Sequence, residues 1–146
     1  HAMGSKYLGS KKYAVKFADI VIQSYHPVKN FTTGEGGSVL TNNLSIYNKI
    51  KSLRSHGIIK SKKEIKLWGY RMIDLGYNYR LTDIQAALGI SQLKKLDQFV
   101  KHRNKLAKVY DIHFKNNIYC KIPEVKKNIF HSYHVYPLLI NFQKLG

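Results

Sequence analysis

Apolar residues come in short bursts early in the chain and at helical spacing later, a change of period that predicts strands followed by helices. Phe17 to Gln23 (FADIVIQ) is a brief apolar run with β-branched residues, of a length suited to a strand buried on both faces. Ser38 to Thr41 reads as a second short strand. Leu44, Tyr47, Ile50 and Leu53 recur at every third position and describe an amphipathic helix from Leu44 to Arg54, with Asn42 and Asn43 as its turn or cap. Ser55 to Tyr70, basic in the middle with glycines towards either end, predicts an irregular, mobile segment. Thr82 is a good N-cap for DIQAALGISQL. From there Ile84, Leu88, Leu93, Leu96, Val100, Leu106 and Tyr110 predict two helices meeting near Lys94 to Asp97. Ala86, Ala87 and Gly89 allow close packing, and Lys101 to Lys108 supplies a wet face. At the ends, His1 to Tyr13 reads as a loop or short hairpin, Asn116 to Asn128 as a linking loop around Pro123, and Tyr133 to Asn141 as a strand.

Composition narrows the class. A chain of 146 residues with 44% apolar content is long enough for one ordinary domain and too apolar for disorder. No apolar run approaches the ~20 residues that cross a bilayer, and no signal peptide opens the sequence, so the expected compartment is the cytoplasm. Cys120 is the one cysteine, which leaves no internal disulfide. His131 and His134, three apart, would fall on opposite faces of a strand, and no Cys/His spacing predicts a metal site. The formal charge of +17 points towards a polyanion. Against that, the basic residues are mostly lysines dispersed along the chain, whereas base reading and phosphate clamping favour arginine.

Between the two early strands lies Ser24-Tyr25-His26-Pro27-Val28-Lys29-Asn30-Phe31-Thr32-Thr33-Gly34-Glu35-Gly36-Gly37. Pro27 fixes its own φ and pushes His26 towards extended geometry, so Lys29 stands on a stiff loop at the end of a strand. An amine held in that way suits imine chemistry with a carbonyl, provided its surroundings favour the neutral form. The glycines permit a tight return, and Glu35 among them is placed to hold the loop by hydrogen bonds. Taken singly, a lysine in so lysine-rich a chain is most simply a solvated surface residue.

The segment SYHPVKNFTTGEGG, together with LGYNYRLTDIQAALGISQL from Leu75 to Leu93, resembles the DegT/DnrJ/EryC1/StrS family of sugar aminotransferases. These enzymes use pyridoxal 5'-phosphate on a fold-type I scaffold. HPVK followed by TTGEGG is most similar to the branch that aminates UDP-4-keto-6-deoxy-N-acetylhexosamines, as in pseudaminic acid synthesis. The implied fold is α/β. Residues 1–115 would be the C-terminal portion of the large cofactor-binding domain, a mixed sheet flanked by helices. Residues 116–146 would be a linker and the first strand of a smaller domain.

The resemblance also implies roles. Lys29 is the catalytic lysine that carries the cofactor and shuttles the proton, and Ser24 donates to the cofactor phosphate. Asn78 reaches the phosphate in a neighbouring subunit, so a homodimer with shared active sites is expected. His1 matches a position near the cofactor's phenolic oxygen, and Arg80 and His26 are candidate substrate contacts. The implied substrates are a UDP-sugar and glutamate, with no nucleic acid, membrane or metal. The aspartate that pairs with the pyridine nitrogen would lie three residues before His1, so the chain is expected to be a central piece of a longer enzyme and inactive alone. Two rivals stay open: a small basic module that binds nucleic acid or another polyanion, and a family member serving as a regulator without catalysis, against which Lys29 itself argues.

Overall fold

The computed structural model describes residues 2–11, 14–61 and 69–145, in which strands and helices alternate as an α/β chain. In chain order these are β1 (Lys6–Tyr7), β2 (Val21–Ser24), β3 (Gly37–Leu40), α1 (Leu44–Leu53), β4 (Ile58–Ile59), β5 (Arg71–Met72), α2 (Asp83–Leu93), α3 (Leu96–Phe114), β6 (Cys120–Lys121), β7 (Ile129–Phe130) and β8 (Leu139–Ile140). Among the described residues the strands pair two by two: β1 with β7, β2 with β3, β4 with β5 and β6 with β8. No helix among them is long and apolar enough to cross a membrane.

Helix boundaries follow local chemistry. The Asn43 side chain accepts from Ser45 N (2.9 Å) and Ile46 N (3.2 Å), satisfying two amides that the first turn of α1 leaves open. The long apolar pattern breaks at Lys94 and Lys95, separating α2 from α3 where two helices were expected to meet.

Two expectations for strands are corrected. Phe17 is 73% exposed and Ile22 76%, so the FADIVIQ run is not a strand buried on both faces: β2 begins at Val21 and has β3 as its ladder neighbour. Strand geometry over Tyr133 to Asn141 is confined to β8, because Pro137 within that run removes a ladder donor and Tyr133 takes a φ of 43°. Part of the stretch expected to be irregular, Ile58–Ile59, pairs antiparallel with Arg71–Met72. Its middle, 62–68 with Trp68, lies outside the described residues.

The chain forms two compact units. The first comprises His1–Tyr13, Gln23–Ser38 and Ile84–Gly146. Its core is Phe31, Leu96 and Val100, with Met3 and Tyr25 packed against them. Gly4, at φ 83°, lies so close to α3 that a Cβ there would stand 2.7 Å from Val100 Cγ2. At the other end of the chain, β6 pairs antiparallel with β8, Cys120 opposite Ile140.

The second unit comprises Ala14–Ile22 and Val39–Asp83. Here two backbones cross almost in contact: a Cβ on Gly76 would come 2.4 Å from Gly57 N and 2.6 Å from Leu53 O. Only glycine fits that crossing. Lys49 pairs with Asp74 beside it.

Candidate active site

The loop after β2 is built by its own side chains. Tyr25 N–H donates to Gly36 O (2.8 Å) and Thr33 N–H to Tyr25 O (3.1 Å), closing the loop across its neck. Thr32 Oγ1 donates to Tyr25 O (2.7 Å) and accepts from Gly34 N (2.9 Å), with Gly34 at φ 81°. The Tyr25 ring meets Phe31 at 4.8 Å, and its hydroxyl bonds Ser38 Oγ at 2.6 Å. At the tip, Lys29 N–H donates to His26 O (3.0 Å), a turn that follows directly from Pro27.

Lys29 is half-buried and stands immediately before the two residues that anchor the loop. Asn30 and Phe31 are each only 3% exposed. Asn30 Nδ2 donates to Met3 O (3.0 Å) and Ser132 O (3.1 Å), while Phe31 enters the core. From the other side, Gly89 of α2 meets Thr33, where an added Cβ would lie 2.7 Å from Cγ2. Gln85 Nε2 donates to Glu35 O (3.0 Å). The loop's glycine-rich return is thus seated on α2, and its lysine position is fixed by burial of the next two residues.

Against the same loop packs a segment that sequence reasoning did not connect with it. Arg103 Nη1 of α3 donates to Tyr133 O (3.1 Å) and His134 O (3.0 Å). Asn104 Nδ2 donates to His131 O (3.0 Å). Tyr133 holds its positive φ under these bonds, a conformation that surrounding contacts must enforce. His134 is hydrogen-bonded to the Val28 backbone. Burial holds its imidazole below the ordinary value, and the positive charges of Lys29 and Arg103 push the same way. His131 is lowered by burial. Further along, the Tyr136 hydroxyl donates to Asp111 Oδ1 (2.5 Å), and its pKa is raised by burial first and by that carboxylate second.

The residues singled out in the sequence divide as follows. Ser24, His26 and Lys29 share the first unit, at the end of β2 and on the loop it feeds. Ser24 Oγ accepts weakly from His26 N (3.4 Å), which leaves its hydroxyl proton for another acceptor. His26 Nε2 lies 3.8 Å from Glu35 Oε1. An amine for an aldehyde carbon and a hydroxyl for a phosphoryl oxygen are the donor set that a phosphorylated aldehyde needs, so these residues suit such a group.

Asn78 and Arg80 belong to the second unit and are exposed. There Asn78 bridges Ser55, with Tyr77 N–H donating to Leu53 O (3.0 Å) and Tyr79 N–H to Arg54 O (2.8 Å), so its backbone is held on both sides while its side chain faces outward. Asn78 Oδ1 accepts from Arg80 N at 3.4 Å. His1 lies outside the described residues. His134 and Arg103 were missed because nothing near them in sequence marks a site; the periodicity of α3 speaks only of its apolar face.

Comparison with known proteins adds the following. Residues 1–145 match the family model described as DegT/DnrJ/EryC1/StrS aminotransferase family. The chain is 48% identical over 140 residues to a UDP-4-amino-4,6-dideoxy-N-acetyl-beta-L-altrosamine transaminase of Campylobacter jejuni, covering 96% of this chain and 36% of that protein. It superposes on Helicobacter pylori PseC, an aminotransferase involved in the biosynthesis of pseudoaminic acid, with a TM-score of 0.85 at 38% identity, over 98% of this chain and 37% of the other. The PLP form of a putative sugar aminotransferase, Spr1654 of Streptococcus pneumoniae, matches with a TM-score of 0.81 at 30% identity, over 96% of this chain and 35% of that one. The chain therefore spans little more than a third of the length of these relatives.

Proposed function

We propose a function that proceeds from family: the chain belongs to the DegT/DnrJ/EryC1/StrS aminotransferase family, and it supplies the cofactor-lysine region of a sugar-nucleotide transaminase. The observation that carries this reading is the setting of Lys29, a half-buried residue on a stiff turn whose two following residues are buried. The proposed substrates are a UDP-4-keto-6-deoxy-N-acetylhexosamine and glutamate as amino donor; the name of the Campylobacter relative, a UDP-4-amino-4,6-dideoxy-N-acetyl-beta-L-altrosamine transaminase, supports the sugar-nucleotide part. The product would serve glycan synthesis of the pseudaminic acid type.

Pyridoxal 5'-phosphate, when bound, supplies the electron sink for the carbanion formed as an amino group is moved. Lys29 Nζ would bind its aldehyde carbon and, once released, take a proton from one carbon and return it to another. Ser24 would hold the phosphate, with His26 as a substrate contact and His1 near the phenolic oxygen; Arg80, in the second unit, is a separate candidate substrate contact. Asn78 would serve the phosphate of a neighbouring subunit, which makes a homodimer part of the reading. Residues 1–115 would belong to the large domain and 116–146 to the linker and first strand of the smaller one.

Incubation with pyridoxal phosphate, borohydride reduction and peptide mapping tests the reading. Label concentrated on Lys29 among the 21 lysines is expected. Label spread evenly over them would overturn it and favour the second reading, a polyanion-binding module, which the +17 charge supports and which predicts DNA affinity falling steeply with salt.

A further inference from the structure

The residues on either side of Lys29 are both fastened to one short segment. Asn30 donates to Ser132 O (3.1 Å), and Val28 shares a backbone hydrogen bond with the His134 side chain. That segment is itself held rigid: Arg103 bonds the carbonyls of Tyr133 and His134. Ser132 is 2% exposed. A lysine between two tethered neighbours has its backbone fixed, so the root of its side chain is held in place and its amine sweeps a smaller volume.

We propose that His134 is a positioning residue for Lys29, a hydrogen-bonding side chain that fastens Val28 and, with the Asn30 to Ser132 bond, straddles the proposed reactive lysine. It acts through the backbone. The inference rests on the reading of Lys29 above for its meaning, but its geometry is testable apart from that reading.

The test uses the full chain with His134→Ala and His134→Gln, the second keeping a neutral N–H donor. Without any added cofactor, hydrogen exchange at the Lys29 amide, which is bonded to His26 O, is expected to speed up about tenfold in His134→Ala and to stay near the parent rate in His134→Gln. With pyridoxal phosphate and borohydride, the share of label on Lys29 is expected to fall in the alanine variant and to return with glutamine. A merely space-filling role predicts no rescue by glutamine and would overturn the proposal, as would unchanged exchange in both variants. Should His134→Ala fail to fold, Arg103→Lys, which loosens the grip on the His134 carbonyl, is expected to raise exchange at Lys29, and no rise would overturn it. If exchange responds as expected while the parent protein shows no preference for Lys29, the tether stands and the cofactor reading fails.

Discussion

At the scale of single residues, about half of the candidate site is legible from local sequence. Lys29 and Ser24 announce themselves through a proline-stiffened loop and a strand-ending hydroxyl, both local features. Asn30 does not: its role depends on carbonyls of Met3 and Ser132, neither of which any short-range pattern connects to it. His134 is hidden for the same reason. The histidines at 131 and 134, the first exposed and the second half-buried, give a prediction with a definite sign. Both imidazoles are held below their ordinary value of 6.5, so the unfolded chain takes up protons near that pH where the folded one does not. Their contribution to stability is therefore present above about 6.5 and is lost as pH falls towards the lowered folded values. The urea midpoint is expected to drop between about pH 7 and pH 5, and the double variant His131→Gln, His134→Gln to flatten that slope.

Among the elements, helices were read well because their signals are local: the Asn43 cap, the stripe of α1 and the break after Leu93. Strands were read poorly. Their ladders here are two residues long in most cases, and whether a strand is buried depends on a neighbour that its own alternation cannot reveal. The small residues of α2 predict close packing, and Gly89 is where it occurs. A Val at this position would press on a Thr33 whose Oγ1 already donates to Glu35 O at 2.7 Å, so Gly89→Val is expected to lower stability by about 2–3 kcal/mol. Ala87→Val, at an exposed position of the same helix, is expected to cost less than about 1 kcal/mol, and chemical denaturation of the pair separates packing from helix propensity. Lys29 labelling should fall in the first variant and hold in the second.

For the whole molecule, net charge and sequence motifs point in different directions. A value of +17 on 146 residues suggests a polyanionic partner, while the family match places the chain in the DegT/DnrJ/EryC1/StrS aminotransferase family. What the charge does impose is self-repulsion of the compact state. Raising salt from about 0.02 M to about 0.3 M is expected to lift the thermal midpoint by roughly 3–6 °C, through shortening of the screening length. The exposed pair Lys11–Asp97, at 2.6 Å, works in the opposite sense but is a single attraction among many like charges.

The amide of Asn30 has a consequence for how the protein is made. Its two acceptors, Met3 O and Ser132 O, are separated by nearly the entire chain, so a ribosome must release residue 132 before the second can arrive. Until then the nascent polypeptide carries Lys29 on an unfinished turn. Contacts of such long sequence separation are slow to close, which makes the lysine loop among the last parts of the chain to set.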